Sequence, residues 1–241
     1  MSRKLSVDVV LPVYSGNIRE IPYSVATLVT YFQQHVKDYT WTLVLAINGK
    51  QPEEVLALAK KLHKHHKEVV YTYTPHPGKG AGVLHAWTTR KPDIYTYMDI
   101  DLATDLHSFR YLLDGIREGY DLVIGSRYHP QSRLRRSFKR YLISKTYIHL
   151  VYRSILGVPV RDSQCGFKAV NKRVVDHILP LIQDKVWFWE SEMLYLAHKL
   201  VYTIKEVPIT WTENKISGVN LLKIAPEFIK KVLRLRFRKI R

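Results

Sequence analysis

The sequence is nearly without cysteine: Cys165 is the single one in 241 residues, so no internal disulfide can form and a disulfide-stapled secreted fold is excluded. Long apolar runs are missing as well. The best candidate, Ile21 to Val36, has no Asp, Glu, Lys or Arg but carries Gln33, Gln34 and His35, and it falls short of the roughly 18 apolar residues a membrane-spanning helix needs. The amino terminus has no small-residue cleavage site, because Arg3 and Lys4 lead straight into a strand-like run, which is not a signal-peptide pattern. Together these absences predict a reducing, cytoplasmic setting. Internal repeats, low-complexity tracts and clear interdomain linkers are also absent. With 46% apolar and 24% charged residues, the composition is that of an ordered globular chain, and its length suits one large domain, or one and a half, with a substantial core.

Acidic residues are scarce too, and the scarcity is local. Against 38 Lys and Arg stand 21 Asp and Glu, a formal net charge of +17. From Leu122 to Arg161 there is no acidic residue, while Arg127, Arg133, Arg135, Arg136, Lys139, Arg140 and Lys145 accumulate. The second basic cluster is the tail, where Lys230, Lys231, Arg234, Arg236, Arg238, Lys239 and Arg241 interleave with Phe228, Ile229, Val232 and Leu233. Such charge fits a solvated basic face, nucleic acid, or an anionic membrane surface together with a phosphorylated substrate.

The first half alternates strand and helix patterns, the signature of a mostly parallel sheet with helices on both faces. Strands are expected near 6–13, 41–47, 69–73, 94–98 and 121–125. Val25, Leu28, Val29, Phe32 and Val36 repeat at helical spacing, as do Val55, Leu58, Ala59 and Leu62, and these stripes mark crossover helices. Further on, 137–156 reads as a helix with Phe138, Tyr141, Leu142, Ile148, Tyr152, Ile155 and Leu156 on one side. Another helix is expected around 190–200 and a strand over 203–209. On the 137–156 helix, Arg136, Arg140, Ser144 and Tyr147 share the opposite stripe, which suits either a phosphate clasp or a plain exposed basic face.

The strand over 94–98 ends in Asp99-Ile100-Asp101. In an open α/β sheet the carboxyl ends of the strands face the ligand crevice, and paired carboxylates there suit a hard divalent cation bridging to a substrate diphosphate. The same dipeptide spacing also occurs in solvated turns. What surrounds the pair is therefore informative. Val9-Val10-Leu11-Pro12-Val13-Tyr14 runs into a Pro-x-Tyr turn, and Gly78-Lys79-Gly80 reads as a flexible basic loop. Tyr97 to Asp105 is YMDIDLATD, and Val123-Ile124-Gly125-Ser126-Arg127-Tyr128 follows. Asp162 to Lys168 is DSQCGFK, and Trp187 to Glu192 is WFWESE. In this order and spacing the set resembles the family-two inverting glycosyltransferases, on the dolichyl-phosphate mannose and glucose synthase branch, over about residues 6 to 222.

The resemblance implies a GT-A-type nucleotide-binding fold, with residues 1–222 as one catalytic domain, acceptor-side helices, and 223–241 as a basic amphipathic segment for membrane-surface contact. It implies that Pro12, Tyr14, Asn48, Gly78, Lys79 and Gly80 line the nucleotide pocket, and that Asp99 and Asp101 hold Mg²⁺ or Mn²⁺ against the diphosphate. Arg127 matches the catalytic-site arginine of the family's Gly-Ser-Arg segment, Arg140 and Ser144 would receive a polyprenyl or dolichyl phosphate, and Glu190 is a further site residue. The partners implied are a nucleotide-sugar donor of the GDP-mannose or UDP-glucose type, the lipid phosphate, and the cytoplasmic face of a membrane, reached peripherally or through a membrane-protein partner. Departures are visible. Ser15-Gly16-Asn17 replaces the acidic residue relatives carry after the Pro-x-Tyr turn, Asn48 stands where a base-reading acid is usual, and Ser217-Gly218-Val219-Asn220-Leu221 lacks a lysine until Lys223.

Other features have plainer readings. His63, His65 and His66 sit among lysines at a helix end and read as solvated surface. Cys165 reads as a small buried thiol. Trp187, Phe188 and Trp189 fit either core or a lipid-facing rim, and Glu190 and Glu192 also suit a helix start. Three alternatives compete with a lipid-phosphate glycosyltransferase: a transferase of the same fold acting on a sugar hydroxyl, which needs a general base; a nucleic-acid-binding protein, which rests on charge alone and is not expected; and a sugar-nucleotide pyrophosphorylase, whose glycine-rich first loop this chain lacks.

Overall fold

The structure is a computed structural model and describes residues 3–50, 52–213 and 221–240. The alternation expected from the sequence appears as β1 (Ser6–Val13), α1 (Ile21–His35), β2 (Thr40–Asn48), α2 (Glu53–His65), β3 (Val69–Thr74), α3 (Lys79–Thr89), β4 (Ile94–Met98), α4 (Phe109–Arg117) and β5 (Leu122–Ser126). A short β6 (Arg133–Arg135) precedes one continuous helix made of α5 (Phe138–Thr146), a wider π-helical stretch over Tyr147–Arg153, and a last turn α6 (Ser154–Leu156). There follow β7 (Phe167–Asn171), α7 (Lys172–His177), α8 (Trp189–Lys199), β8 (Ile204–Pro208), β9 (Thr210–Thr212) and α9 (Leu221–Arg236).

The main sheet runs in the order β3-β2-β1-β4-β7-β5-β8. Every neighbouring pair is parallel except those of β7, which is antiparallel to both β4 and β5. Both faces of the sheet are covered, which is why β1 and β4 are almost continuously apolar. Because side chains alternate across a strand, Val9, Leu11 and Val13 pack with Val25, Leu28 and Phe32 of α1, Val55 of α2 and Leu112 of α4. Val10, Tyr95 and Tyr97 face the other way, against Trp87 of α3, Trp189 and Met193 of α8, and Phe228, Val232 and Leu235 of α9.

Three details differ from the sequence reading. Gly78-Lys79-Gly80 is not a flexible loop: Gly78 takes φ 128° as the cap, and Lys79 and Gly80 begin α3. A Cβ at Gly80 would meet the Trp189 ring at 2.6 Å, so the glycine is there for close packing of α3 on α8. The strand β7 is not among the expected strands, although its first two residues, Phe167 and Lys168, end the 162–168 motif segment. Finally, the apolar side of the 137–156 helix is split. Ile148, Tyr152 and Leu156 are buried, whereas Phe138 is 77% and Leu142 is 53% exposed, because the first turns of α5 extend past the core and only the later turns pack on it.

The basic tail is half consumed by the fold. Phe228, Val232 and Leu235 are buried, Lys231 pairs with Asp184 at 2.7 Å, and Arg238 pairs with buried Glu192 at 2.6 Å. Ile229, Leu233 and Phe237 remain on the outer side of α9.

Candidate active site

The carboxyl ends of β1, β2 and β4 lie on one edge of the sheet, and the residues there are tightly constrained. Asn48 joins three segments: its amide nitrogen donates to the Val13 carbonyl at 3.0 Å, and its amide oxygen accepts from the Gly78 backbone N–H at 3.0 Å. Pro12 pairs with Ala46 inside the sheet, and Tyr14 leaves the strand 55% exposed. Gly16 lies so close that a Cβ there would meet the Tyr14 ring at 2.4 Å.

Asp99 follows the last residue of β4, and its N–H donates to the Gly166 carbonyl at 3.2 Å. Gly166 is required at that point, since a Cβ on it would stand 2.1 Å from Asp99 Oδ2. Asp101 is exposed, and its Oδ1 accepts from the Ala103 N–H at 3.1 Å across a turn in which Leu102 takes the left-handed φ of 52°. A non-glycine residue held in that region marks a backbone fixed by its surroundings. Among the described residues no three His, Cys, Asp or Glu side chains gather into a metal cage. The donor set is instead two hard carboxylates, which fits a Mg²⁺- or Mn²⁺-type ion that takes its remaining ligands from phosphate and water.

Beneath Asp99 lies a buried group of charges. Lys79 Nζ stands 2.8 Å from Asp99 Oδ1 and 3.6 Å from Glu190 Oε1, and Lys168 Nζ stands 3.6 Å from the same Glu190 oxygen. Both ammonium groups lie over the Tyr97 ring, at 5.2 and 5.8 Å from its centroid, and Lys168 also donates to the Cys165 carbonyl. Burial would lower the Lys79 pKa, but the charges of Asp99 and Glu190 raise it above the ordinary lysine value. Lys168, fully enclosed on β7, is pulled down to about 8 by burial. Burial likewise raises Glu190, with Lys79 opposing, and pushes the Cys165 thiol up to about 12.

The arginine side of the site is built on β5, α5 and β9. Arg127 forks onto buried Asp162, with Nε–Oδ2 at 2.7 Å and Nη2–Oδ1 at 2.9 Å. Burial would raise the Asp162 pKa, yet the Arg127 charge and hydrogen bonds bring it below the ordinary value. Glu213 gathers the helical stripe, accepting from Arg140 Nη1 at 2.8 Å and Arg136 Nε at 3.2 Å. Those two bonds outweigh burial and lower its pKa. Ser144 Oγ accepts from Arg136 Nη1 at 3.0 Å and meets the Tyr128 hydroxyl.

A strip of backbone connects the two sides. The turn after Asp101 pairs with β9: the Asp105 N–H donates to the Thr210 carbonyl, and the Thr212 N–H donates to the Ala103 carbonyl, each at 2.9 Å. Between those bonds sits Trp211, whose ring carries the guanidinium carbons of Arg127 at 5.6 Å and Arg136 at 5.1 Å. The aspartates and the arginines are thus walls of one region. Sequence reasoning missed Asp162, Lys168, Trp211 and Glu213. Asp162 and Lys168 lay within a quoted motif, whereas Trp211 and Glu213 carried no local signal.

Of the remaining expectations, Phe188 and Trp189 are core while Trp187 is 42% exposed beside the site. Cys165 is buried. His63 and His65 bond to the carbonyls of Val69 and Lys61. The Ser217 to Asn220 element lies outside the described residues.

The comparisons agree with this architecture. The profile of Glycosyl transferase family 2 matches residues 8–179. The chain is 29% identical over 221 residues to "Glycosyltransferase AglD" of Haloferax volcanii, covering 91% of this chain and 35% of that protein. It is 29% identical to "Dolichyl-phosphate beta-glucosyltransferase" of Dictyostelium discoideum (84% of this chain, 60% of the relative). It is 30% identical to "Polyprenol monophosphomannose synthase" of Mycolicibacterium smegmatis (74% and 71%). The chain therefore spans about a third and three fifths of the first two relatives. Among solved structures, glucosyl-3-phosphoglycerate synthase from Mycobacterium tuberculosis in complex with UDP superposes with a TM-score of 0.67 at 17% identity, covering 98% of this chain and 82% of that one. The same enzyme solved with Mn²⁺, UDP and phosphoglyceric acid gives 0.63 at 17% identity, covering 96% and 77%. With the profile matched across most of the chain, and Asp-x-Asp at the end of a central parallel strand, this protein is a member of glycosyltransferase family 2.

Proposed function

We propose that the protein transfers a hexosyl group from a nucleotide-sugar donor to a polyprenyl or dolichyl phosphate, with inversion. The observation that carries this reading is the arginine seat: Arg136, Arg140 and Ser144 arranged by Glu213 and joined through Trp211 to the turn that bears Asp101. The names of the relatives, two of which act on dolichyl or polyprenyl phosphates, support the same substrate class.

A phosphate acceptor is already ionised near neutral pH, so it needs orientation and charge compensation more than a general base. Forked guanidinium donors supply both. The buried acids of the site are both held by cations, Asp162 by Arg127 and Glu190, 3% exposed, beside two lysines, which suits positioning roles better than proton abstraction. On the donor side Tyr14 offers an exposed ring for the base, and Lys79 offers positive charge to the diphosphate. A divalent ion at Asp99 and Asp101 would supply Lewis-acid stabilisation of the departing diphosphate. Inversion requires the acceptor phosphate to enter from the side of the sugar opposite the departing diphosphate, and the arginine seat would hold it there.

Among the described residues no helix is long and apolar enough to cross a membrane. Peripheral contact is supported by Phe138 and Leu142 on α5, which are exposed next to Lys139 and Lys145. It is also supported by a cavity of about 350 Å³ beside them, lined by Lys145, His149, Arg153 and Arg161 among others. Together they form an apolar and basic surface suited to anionic lipid.

The deciding experiment is turnover of a sugar-nucleotide panel at varied Mg²⁺ and Mn²⁺. The acceptor is polyprenyl phosphate in neutral or anionic vesicles, or else a free sugar. Transfer to lipid phosphate, faster on anionic vesicles and abolished by Asp101→Asn, is expected. Transfer to a sugar hydroxyl and never to lipid phosphate overturns the proposal.

A further inference from the structure

The buried charges under Asp99 contain a mismatch. Lys79 is a single ammonium between two carboxylates, bonded to Asp99 Oδ1 at 2.8 Å and standing off Glu190 Oε1 at 3.6 Å. That Glu190 oxygen has no hydrogen-bond partner even though it is enclosed, which for a buried acceptor is a costly condition. Lys168, at the same 3.6 Å, is tied to the Cys165 carbonyl just ahead of its strand and does not close on it either. The Asp99 oxygen that holds Lys79 is also one a divalent ion would take. An ammonium and a divalent cation repel at contact distance, which disfavours both on one oxygen.

We infer that Lys79 is an exchangeable cation with two seats: Asp99 Oδ1, and Glu190 Oε1, to which it retreats when a divalent ion takes Asp99. The inference rests on the reading of Asp99 and Asp101 as metal ligands. The second seat is prepared in three ways. Glu190 lacks a hydrogen bond that Lys79 would supply. The Tyr97 ring lies under Lys79 and continues under Lys168, so the ammonium keeps a π face along the way. The backbone at Lys79 is fixed by packing of α3 on the 185–189 segment, with the Ala81 N–H donating to the Lys185 carbonyl at 2.7 Å, so only the side chain needs to move. Lys79 then stays beside the diphosphate without competing for the ion, and Glu190 is a positioning residue that acts through Lys79.

The test is Mn²⁺ binding to the nucleotide-free protein, followed by electron paramagnetic resonance of the free ion, in a double-mutant cycle of Lys79→Met and Glu190→Gln. Lys79→Gln is a second version of the first arm, and circular dichroism confirms folding. Removing Lys79 should tighten Mn²⁺ binding about tenfold, the size of an ordinary coupling between sites. Glu190→Gln should weaken it several-fold in the wild-type background, because the displaced ammonium then has no charged seat. In the Lys79→Met background the Glu190→Gln change should have little effect, since Glu190 acts only through Lys79. An equal effect in both backgrounds would show a general field of the carboxylate and overturns the exchange, as does unchanged or weaker Mn²⁺ binding in both Lys79 variants. If the wild type binds no Mn²⁺, the reading of the aspartates fails and the exchange with it. Binding that is lost in Asp101→Asn but insensitive to Lys79 overturns the exchange alone.

Discussion

At the scale of single residues, the site depends on how closely groups approach. Gly166 is the clearest case, because its missing side chain is the space the Asp99 carboxylate occupies. Gly166→Ala should turn that carboxylate away while leaving the sheet intact, since Asp99 is 44% exposed in its side chain and can swing outward. A displacement of about 1 Å at a reacting centre costs on the order of 100-fold in rate. Turnover of the donor should fall by about that factor with little change in Tm, and normal turnover would refute the constraint. Lys168 makes a different prediction. With a folded pKa near 8 against an ordinary lysine value of 10.5, the unfolded chain holds a proton between those values that the folded chain lacks. Stability therefore rises with pH across that window. Relative to Lys168→Met, the wild type should gain about 3 kcal/mol from pH 8 to 10.5, read from urea unfolding at each pH; a flat difference would mean that Lys168 is not desolvated. The aspartates were legible in the sequence because an aromatic strand that stops on two acids is a local pattern. Lys168 was not, because a lysine among Phe167, Ala169 and Val170 reads as solvent-facing until both faces of the sheet are known to be covered.

Among the elements, the helix beginning at α5 shows what periodicity does and does not reveal. Its stripe of Arg136, Arg140, Ser144 and Tyr147 follows from a spacing of three and four, and the structure keeps the first three together, whereas Tyr147 turns to the core and packs on Phe228 of α9. The partner that organises them, Glu213, is more than 70 residues away on the strip after β9, a distance no local pattern can bridge. The same helix misled on its apolar side, since periodicity cannot tell which turns extend past the core. β7 was hidden because it is short, carries Lys168, and runs against its neighbours, while the expected sheet was built from crossovers that give parallel strands. The stripe yields a prediction of its own. Arg140→Ala removes one guanidinium from the acceptor seat and nothing from the donor side, so KM for polyprenyl phosphate should rise about tenfold or more while KM for the sugar nucleotide stays near normal. An unchanged acceptor KM would remove Arg140 from the seat.

Across the whole molecule, the net charge of +17 is divided by the fold into different tasks. Some of the basic residues compensate buried acids: Lys79 and Lys168 at Glu190, Arg127 at Asp162, and Arg238 at Glu192. Others, at Lys139, Lys145 and Arg153, remain for an anionic surface. Composition alone cannot make that division, because it depends on which acids the core encloses. The tail shows the consequence. In sequence it is a basic amphipathic segment, whereas in the structure α9 joins Trp189 of α8 over the face of the sheet that carries Tyr97, with Phe228, Val232 and Leu235 in the core. Arg238 anchors its end by donating to Glu192 Oε1 at 2.6 Å and to the Leu181 carbonyl at 2.7 Å. Glu192 Oε2 in turn accepts from the Asp184 N–H at 2.8 Å. Arg238→Met keeps the apolar stem but strands the Glu192 carboxylate, which is 2% exposed. Removing one partner of a buried ion pair costs about 3–5 kcal/mol, and the 19% exposure of the Arg238 side chain places the expectation at the lower end, about 3 kcal/mol. The check is the urea midpoint at constant m-value, with Glu192→Gln added to the Arg238→Met variant. The second change removes the stranded charge and should recover much of the loss, because the penalty comes from an uncompensated carboxylate and not from lost packing. If Arg238→Met unfolds at the wild-type midpoint, α9 is held by its apolar face alone and the ion pair adds nothing to the fold.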